Sequence, residues 1–177
     1  MPTLSAPAEK VIADKKNIHT VSVFVSNKPG VLVRVALVFA RRGYNIDSLV
    51  VSPAQDGRFS RMTITAKGDP KTLDQIIKQL SKLIDVVHAS EHFPEDAIEK
   101  ELALIKVKAS VDLRAEIFQL VDHFKSLTVD ITDESMIIQV TGGTEKLDAF
   151  IGLLKKYGIT EIVRTGKIVM ARGQEMT

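Results

Sequence analysis

The strongest constraint on what this chain can fold into is an order of apolar periods that runs through once and then repeats. Alternating apolar and polar residues mark a strand, while apolar residues at i, i+3, i+4 and i+7 mark one face of a helix. Residues 19–26 are rich in Val and Phe and predict a strand. Residues 31–42 predict a helix with a Leu32, Val35, Ala36, Phe39 stripe, and Gly43 stands where a C-cap glycine belongs. Residues 46–52 predict a second strand with Ile46, Ser48 and Val50 on one face, followed by the turn "PAQDG". Residues 59–66 predict a third strand, with Met62 and Ile64 facing away from Arg61 and Thr63. Asp69 and Pro70 then make a helix start, and Leu73, Ile76, Ile77 and Leu80 form its apolar face. "DVVHASEHF" predicts a fourth strand, so the order is β-α-β-β-α-β.

After "PEDAIEKE", an acidic and polar stretch read as a linker, the order recurs. Residues 102–109 predict a strand, and Asp112 caps a helix carrying Ile117, Leu120, Val121 and Phe124. "TVDITDESMIIQVTG" predicts a hairpin turning at Asp133-Glu134. Leu147, Phe150, Ile151 and Leu154 predict a second helix ended by Gly158, and "ITEIVRTGKIVMA" closes as a strand. The expected fold class is α+β: two tandem ferredoxin-like βαββαβ sandwiches, each a four-stranded antiparallel sheet with two helices on one face. The expected divisions are a flexible tail at 1–18, a first domain at 19–93, a linker at 94–101, a second domain at 102–172 and a short tail at 173–177. Helices on one face leave the other face and the edge strands open to a second copy, so a homodimer is expected.

Composition narrows the function classes. A chain of 177 residues with 45% hydrophobic content buries roughly 70% of its unfolded surface without staples. It has no cysteine, which excludes disulfide and thiol chemistry and fits a reducing, cytoplasmic setting. The net charge is only +2 and the signs are mixed along the chain, which argues against an electrostatic nucleic-acid surface. No apolar run approaches the ~20 residues of a membrane span. "MPTLSAPAEKVIADKK" has no apolar signal core and contains Glu9 and Asp14, so no targeting peptide is expected there.

The most informative local stretch is "VFVSNKPGVLVRVALVFARRGYNI", a strand running into a helix through Asn27-Lys28-Pro29-Gly30. Neither G-x-G-x-x-G nor G-x-x-x-x-G-K-[ST] is present, so dinucleotide and Walker-type binding are unsupported. Asn27 offers both an acceptor and a donor. Gly30 lets a ligand approach the backbone. The N–H groups from Gly30 through Val31 to Leu32 point along a helix start, which favours a carboxylate. A tight turn and a small amino-acid site remain the two readings of these residues. Asn45 is either a turn asparagine or, with Ile46, a group reaching the Gly30 loop of a second copy across an edge-paired dimer.

These segments resemble a family. "SNKPGVLVRVALVFARRGYNIDSLVVSPAQDGRFSRMTI" is similar to the N-terminal ACT domain of the small regulatory subunits of acetolactate synthase, with the pattern N-x-x-G-[AV]-L, R-G-[YF]-N-I-x-S-L and S-R-M-T. "KQLSKLIDV", "KELALIKV" and "KLDAF" resemble later segments of the same family, so the likeness spans about residues 19–172 and is weakest through 113–133. The resemblance implies an ACT domain followed by an ACT-like domain. It also implies that valine or a related branched-chain end product binds between the N-terminal domains of two chains. Asn27, Gly30, Val31 and Leu32 would serve from one chain, and Asn45 and Ile46 from the other. The implied partner is a catalytic large subunit holding thiamine diphosphate, Mg²⁺ and FAD, with no cofactor, metal or catalytic site in this chain. The alternative is an ACT-type amino-acid sensor acting alone or on another partner.

Other readings fare worse. An acylphosphatase-like site would use Gly30-Val31-Leu32-Val33-Arg34 with Asn45, but Pro29 lacks the N–H such a phosphate cradle needs. RNA binding on this fold needs stacking aromatics, and the third strand offers only Phe59. His88 and His92 lie roughly 13 Å apart by strand rise, too far to share a metal. His19 and His123 have no partner evident in the sequence.

Overall fold

A computed structural model describes residues 18–177. The expected tail at 1–18 therefore lies, but for Ile18, outside the described residues. Nine strands and four α-helices are found among them: β1 (Ile18–Ser26), α1 (Val31–Arg41), β2 (Asn45–Pro53), β3 (Phe59–Lys67), α2 (Pro70–Leu80), β4 (Val86–His92), β5 (Ala97–Lys108), α3 (Val111–His123), β6 (Leu127–Ile131), β7 (Ser135–Gly142), α4 (Thr144–Leu154), β8 (Ile159–Arg164) and β9 (Ile168–Ala171). The first sheet has the order β2-β3-β1-β4, the second β6-β7-β5-β8, with β9 paired to β5. The two strand orders are the same arrangement four strands apart, so the repeat legible in the sequence is a repeat of topology. All the registered strand pairs are antiparallel. The α+β class with tandem ferredoxin-like sandwiches is the fold observed.

Each sandwich has its own core. In the first, Val21, Val23 and Val25 of β1 and Met62, Ile64 and Ala66 of β3 meet Phe39 of α1 and Leu73, Ile76 and Leu80 of α2. In the second, Ala103, Ile105 and Val107 of β5 and Met136, Ile138 and Val140 of β7 meet Ile117 of α3 and Leu147, Phe150 and Leu154 of α4. The helix starts differ in quality. Asp69 accepts from the N–H groups of Lys71 and Thr72, and the Thr72 contacts hold its carboxyl below the usual range. The second unit's first helix has Ser110, not Asp112, at its N-cap position, and Asp112 lies in its first turn.

Expectations about faces and boundaries are corrected at α1, at β2 and in the stretch 94–101. The buried stripe of α1 is Val31, Val35, Val38 and Phe39, while Leu32 is 41% exposed. An i, i+4, i+7, i+8 set fits one helix face as well as the Leu32 set does, and Phe39 alone does not fix the phase. On β2, Ile46 pairs with Ala66 but Ser48 pairs with Thr65, leaving Asp47 as the extra residue of a bulge. The bulge breaks the two-residue alternation, so Ile46 and Leu49 turn to the core and Ser48 leaves their face. Finally, the stretch 94–101 is a linker only in part, because β5 starts at Ala97. Ala97 and Glu101 are buried, and the polar composition of the stretch hides a strand.

The described chain divides into two compact units. One runs up to Ile98 and takes back Val169–Thr177, and the other is Glu99–Ile168. The residues expected as a terminal tail, 173–177, belong to the first unit: Ala171 N–H donates to Thr177 Oγ1 at 2.7 Å. The second sheet face of the first unit is not open throughout, since Thr20, Ser22, Thr63 and Thr65 are buried on it.

Gly43 closes α1 with φ 71° and donates its N–H to the Ala40 carbonyl at 3.1 Å. A Cβ there would meet nothing within 4 Å, so the left-handed backbone is the whole cost of a side chain. Gly43→Ala is expected to destabilise the first unit by about 1 kcal/mol, read as a lower urea midpoint. An unchanged midpoint would show that the turn relaxes.

Candidate functional site

The loop between β1 and α1 is built from the backbone outward. Asn27 N–H donates to the Arg58 carbonyl at 2.8 Å, and Asn27 Nδ2 donates to the Gly57 carbonyl at 3.0 Å. Both bonds tie the loop to the β2–β3 turn. Gly30 is the N-cap of α1 with φ 82°, and no side chain caps the helix. An N-terminal turn without a cap leaves first-turn N–H donors for an outside acceptor. Of the residues expected at this site, Val31 is 2% exposed and its N–H donates to the Lys28 carbonyl at 3.4 Å, so it is turned away from a ligand, whereas Leu32 presents its side chain.

The charges beside the loop are balanced. Arg34 Nη1 would lie 3.4 Å from a Cβ on Gly30, but Arg34 Nη2 is bound to Asp85 Oδ2 at 2.5 Å. Arg58 pairs with Asp56 at 2.6 Å and holds its carboxyl below the usual range. With both arginines neutralised, the loop offers oriented N–H dipoles, an amide side chain and the single exposed cation Lys28 rather than a cluster of cations. That chemistry suits a carboxylate of a small molecule better than a phosphate. The Arg34–Asp85 pair joins residues 51 apart, and no sequence signal announces it.

Asn45 and Ile46 are elsewhere. Asn45 opens β2 opposite Lys67, at the end of β3 remote from Phe59, while the Asn27 loop follows Ser26, which pairs with Phe59. The strand rise separates the two groups by roughly 25 Å within one chain. The chain therefore assembles Asn27, Gly30, Val31 and Leu32 but not Asn45 and Ile46. Arg34 and Asn45, which an acylphosphatase-like site would need together, are likewise kept apart.

Two of the histidines, His19 and His92, have hydrogen-bonding partners. His19, expected to be without one, is 8% exposed, with Nδ1 at 2.6 Å from Glu91 Oε1 and Nε2 at 3.0 Å from the Gly68 carbonyl. His92 Nε2 lies 2.7 Å from Ser22 Oγ. Among the described residues no group of three or more His, Cys, Asp or Glu could hold a metal ion. Nor is any described helix long and apolar enough to cross a membrane.

Comparison with known proteins agrees with this architecture. Residues 21–88 match the family described as "AHAS small subunit-like ACT domain", and residues 100–173 match "Small subunit of acetolactate synthase". The chain is 49% identical over 157 residues to the probable acetolactate synthase small subunit of Archaeoglobus fulgidus, covering 89% of this chain and 98% of that one. It is 44% identical over 155 residues to the acetolactate synthase small subunit of Mycolicibacterium smegmatis, covering 88% and 91%. Its fold superposes on the crystal structure of the acetolactate synthase small subunit from Thermotoga maritima with a TM-score of 0.80 at 45% identity, covering 89% of this chain and 99% of that one. With two sandwiches of one topology, a match on each and nearly full-length relatives, the chain belongs to the acetolactate synthase small-subunit family.

Proposed function

We propose that this protein is the regulatory subunit of an acetolactate synthase. It activates a catalytic large subunit and makes it sensitive to feedback inhibition by valine, the end product of branched-chain amino-acid synthesis. The large subunit carries thiamine diphosphate, Mg²⁺ and FAD, and this chain carries the effector site and no catalytic residue. The proposed setting is the cytoplasm, in keeping with the absence of cysteine.

The observation that carries the reading is the uncapped start of α1 beside Asn27, with its complement 25 Å away on an edge strand, as the strand rise gives roughly. The edge strand β2 leaves one side unpaired within its sheet. If two copies pair β2 antiparallel about a two-fold axis, the Asn45 end of one meets the Pro53 end of the other. The Asn27 bonds to Gly57 and Arg58 hold the Gly30 loop at that same end. The geometry thus supports a site completed by the second copy, in which the effector's binding is linked to assembly.

The test is reconstitution with the large subunit of the same organism, titrated separately with valine, leucine and isoleucine. Activation on mixing, followed by inhibition with one of the three, is expected. Absence of any activity change on mixing would sink the proposal. In the same assay Asn45→Ala is expected to raise the half-inhibitory valine concentration at least about tenfold, the cost of one hydrogen bond to a charged group. Full valine sensitivity in Asn45→Ala would remove the cross-chain contact.

A further inference from the structure

On the sheet face opposite α1 and α2, the first unit has a second concavity that the effector reading does not use. Phe24, Arg61, Val87, His88, Met176 and Thr177 line a cleft of about 390 Å³. That volume lies near the lower end of the range for small-molecule sites.

Its construction has three features beyond volume. Phe24 stands opposite both Arg61 of β3 and His88 of β4, so the cleft floor crosses three adjacent strands. Phe24 pairs with His88 while Val25 pairs with Val86, which makes Val87 the extra residue of a bulge. Bulges re-aim side chains, and this one brings Val87 and His88, neighbours in sequence, to the same cleft. Val87 is 59% and Met176 80% exposed, so the apolar walls are left without cover.

The third feature is Arg61. Its guanidinium carbon sits 5.4 Å from the centre of the Phe24 ring, which itself stacks on Phe59 at 5.2 Å. The ring face attracts the cation but accepts none of its in-plane N–H bonds. Among the described residues no carboxylate pairs with Arg61, whereas Arg34 and Arg58 each have one and Arg164 has two. The cleft therefore presents a cation with donors to spare, flanked by an aromatic ring, a valine and a methionine.

We propose that this cleft binds a small monocarboxylate with an apolar or aromatic body, its carboxylate on Arg61 and its body between Phe24, Val87 and Met176. The adjoining depression selects the charge. It shares His88 and Met176 with the cleft and carries Glu91, Asp96 and Glu175. Those carboxylates oppose a polyanion such as a nucleotide phosphate and leave a single negative charge as the best match. The site is independent of the effector reading.

Phenylacetate titrated into the full chain, followed by the ε-methyl NMR signal of Met176 and by calorimetry, tests this. Saturable binding that shifts the Met176 signal is expected, with neutral phenylacetamide at least tenfold weaker. Arg61→Gln is expected to lose at least tenfold, and Arg61→Lys to lose less. Val87→Asp, which places an anion in the cleft at an exposed position, should abolish binding while leaving the unfolding midpoint in place. The proposal is overturned if the Met176 signal does not move, if the amide binds as well, if Arg61→Gln binds as the parent does, or if inorganic phosphate binds as tightly as phenylacetate. Displacement of phenylacetate by excess valine would assign the probe to the effector site and also overturn it.

Discussion

Gly30→Asp abolishes detectable valine binding in calorimetry while the chain stays folded: this is the expected result with the greatest consequence for regulation. Aspartate at Gly30 brings a carboxylate to the uncapped helix start, where the effector's own carboxylate is proposed to lie. Two like charges about 4 Å apart cost about 4 kcal/mol at an effective dielectric near 20, which corresponds to a loss of roughly a thousandfold in affinity. The mutant side chain also offers the Leu32 N–H an internal acceptor, competing with the ligand. The fold should tolerate the change. Gly30 has φ 82°, a region aspartate enters more readily than most residues, and a Cβ would meet only Arg34 Nη1 at 3.4 Å. Gly30→Ala separates backbone strain from charge: it carries about 1–2 kcal/mol of left-handed strain but no carboxylate, and should keep measurable binding. Unchanged valine affinity in Gly30→Asp would refute the assignment of the loop.

Arg164→Ala is expected to cost the second unit about 3–5 kcal/mol, because it strands a buried charge. The Glu101 side chain is 5% exposed and accepts from Arg164 Nε at 3.1 Å and Nη2 at 2.5 Å. Thr144 Oγ1 donates to its other oxygen at 2.7 Å. Arg164 Nη1 in turn reaches Asp148 at 2.8 Å, linking β8 to β5 and α4. Burial opposes the charge on Arg164, yet the two carboxylates outweigh it and raise its pKa. Removal of the arginine leaves Glu101 one donor, and the loss is a large part of a typical domain's stability. Glu101→Leu combined with Arg164→Met should recover most of it, since the unpaired charge goes with the pair. Calorimetric melting of the full chain reads both. A shift below about 1 kcal/mol for Arg164→Ala would mean that water reaches Glu101 and that the pair is only a surface bridge.

Both predictions turn on contacts that differ in how far the sequence announces them. The Gly30 loop could be read directly, since a strand, Asn-Lys-Pro-Gly and a helix are contiguous. The Glu101–Arg164 pair joins residues 63 apart, and "PEDAIEKE" looks like a linker because its composition is acidic. The same limit hid the His19–Glu91 contact across 72 residues and the Arg34–Asp85 pair beside the loop. Face assignments failed where one residue changed the phase. The bulge at Asp47 reverses the face of Ser48 relative to Ile46, and the buried stripe of α1 keeps Val35 and Phe39 but takes Val31 and Val38 in place of Leu32 and Ala36.

What the sequence determined by itself is the local and repeated part of the structure. Periods of 2 and 3.6, the Asp69-Pro70 start and the Gly43 stop are short-range consequences of sterics and backbone hydrogen bonding, and they repeat with the βαββαβ order. The tertiary structure alone decided which side chains meet across distant strands, where bulges turn a residue to the other face, and which charges are neutralised beside the loop. It also decided that 173–177 returns to the first unit and that Arg61 faces a cleft without a carboxylate partner among the described residues. Such pairings depend on register and chain return, and these follow from the packing of the whole sheet, which no window of neighbouring residues contains.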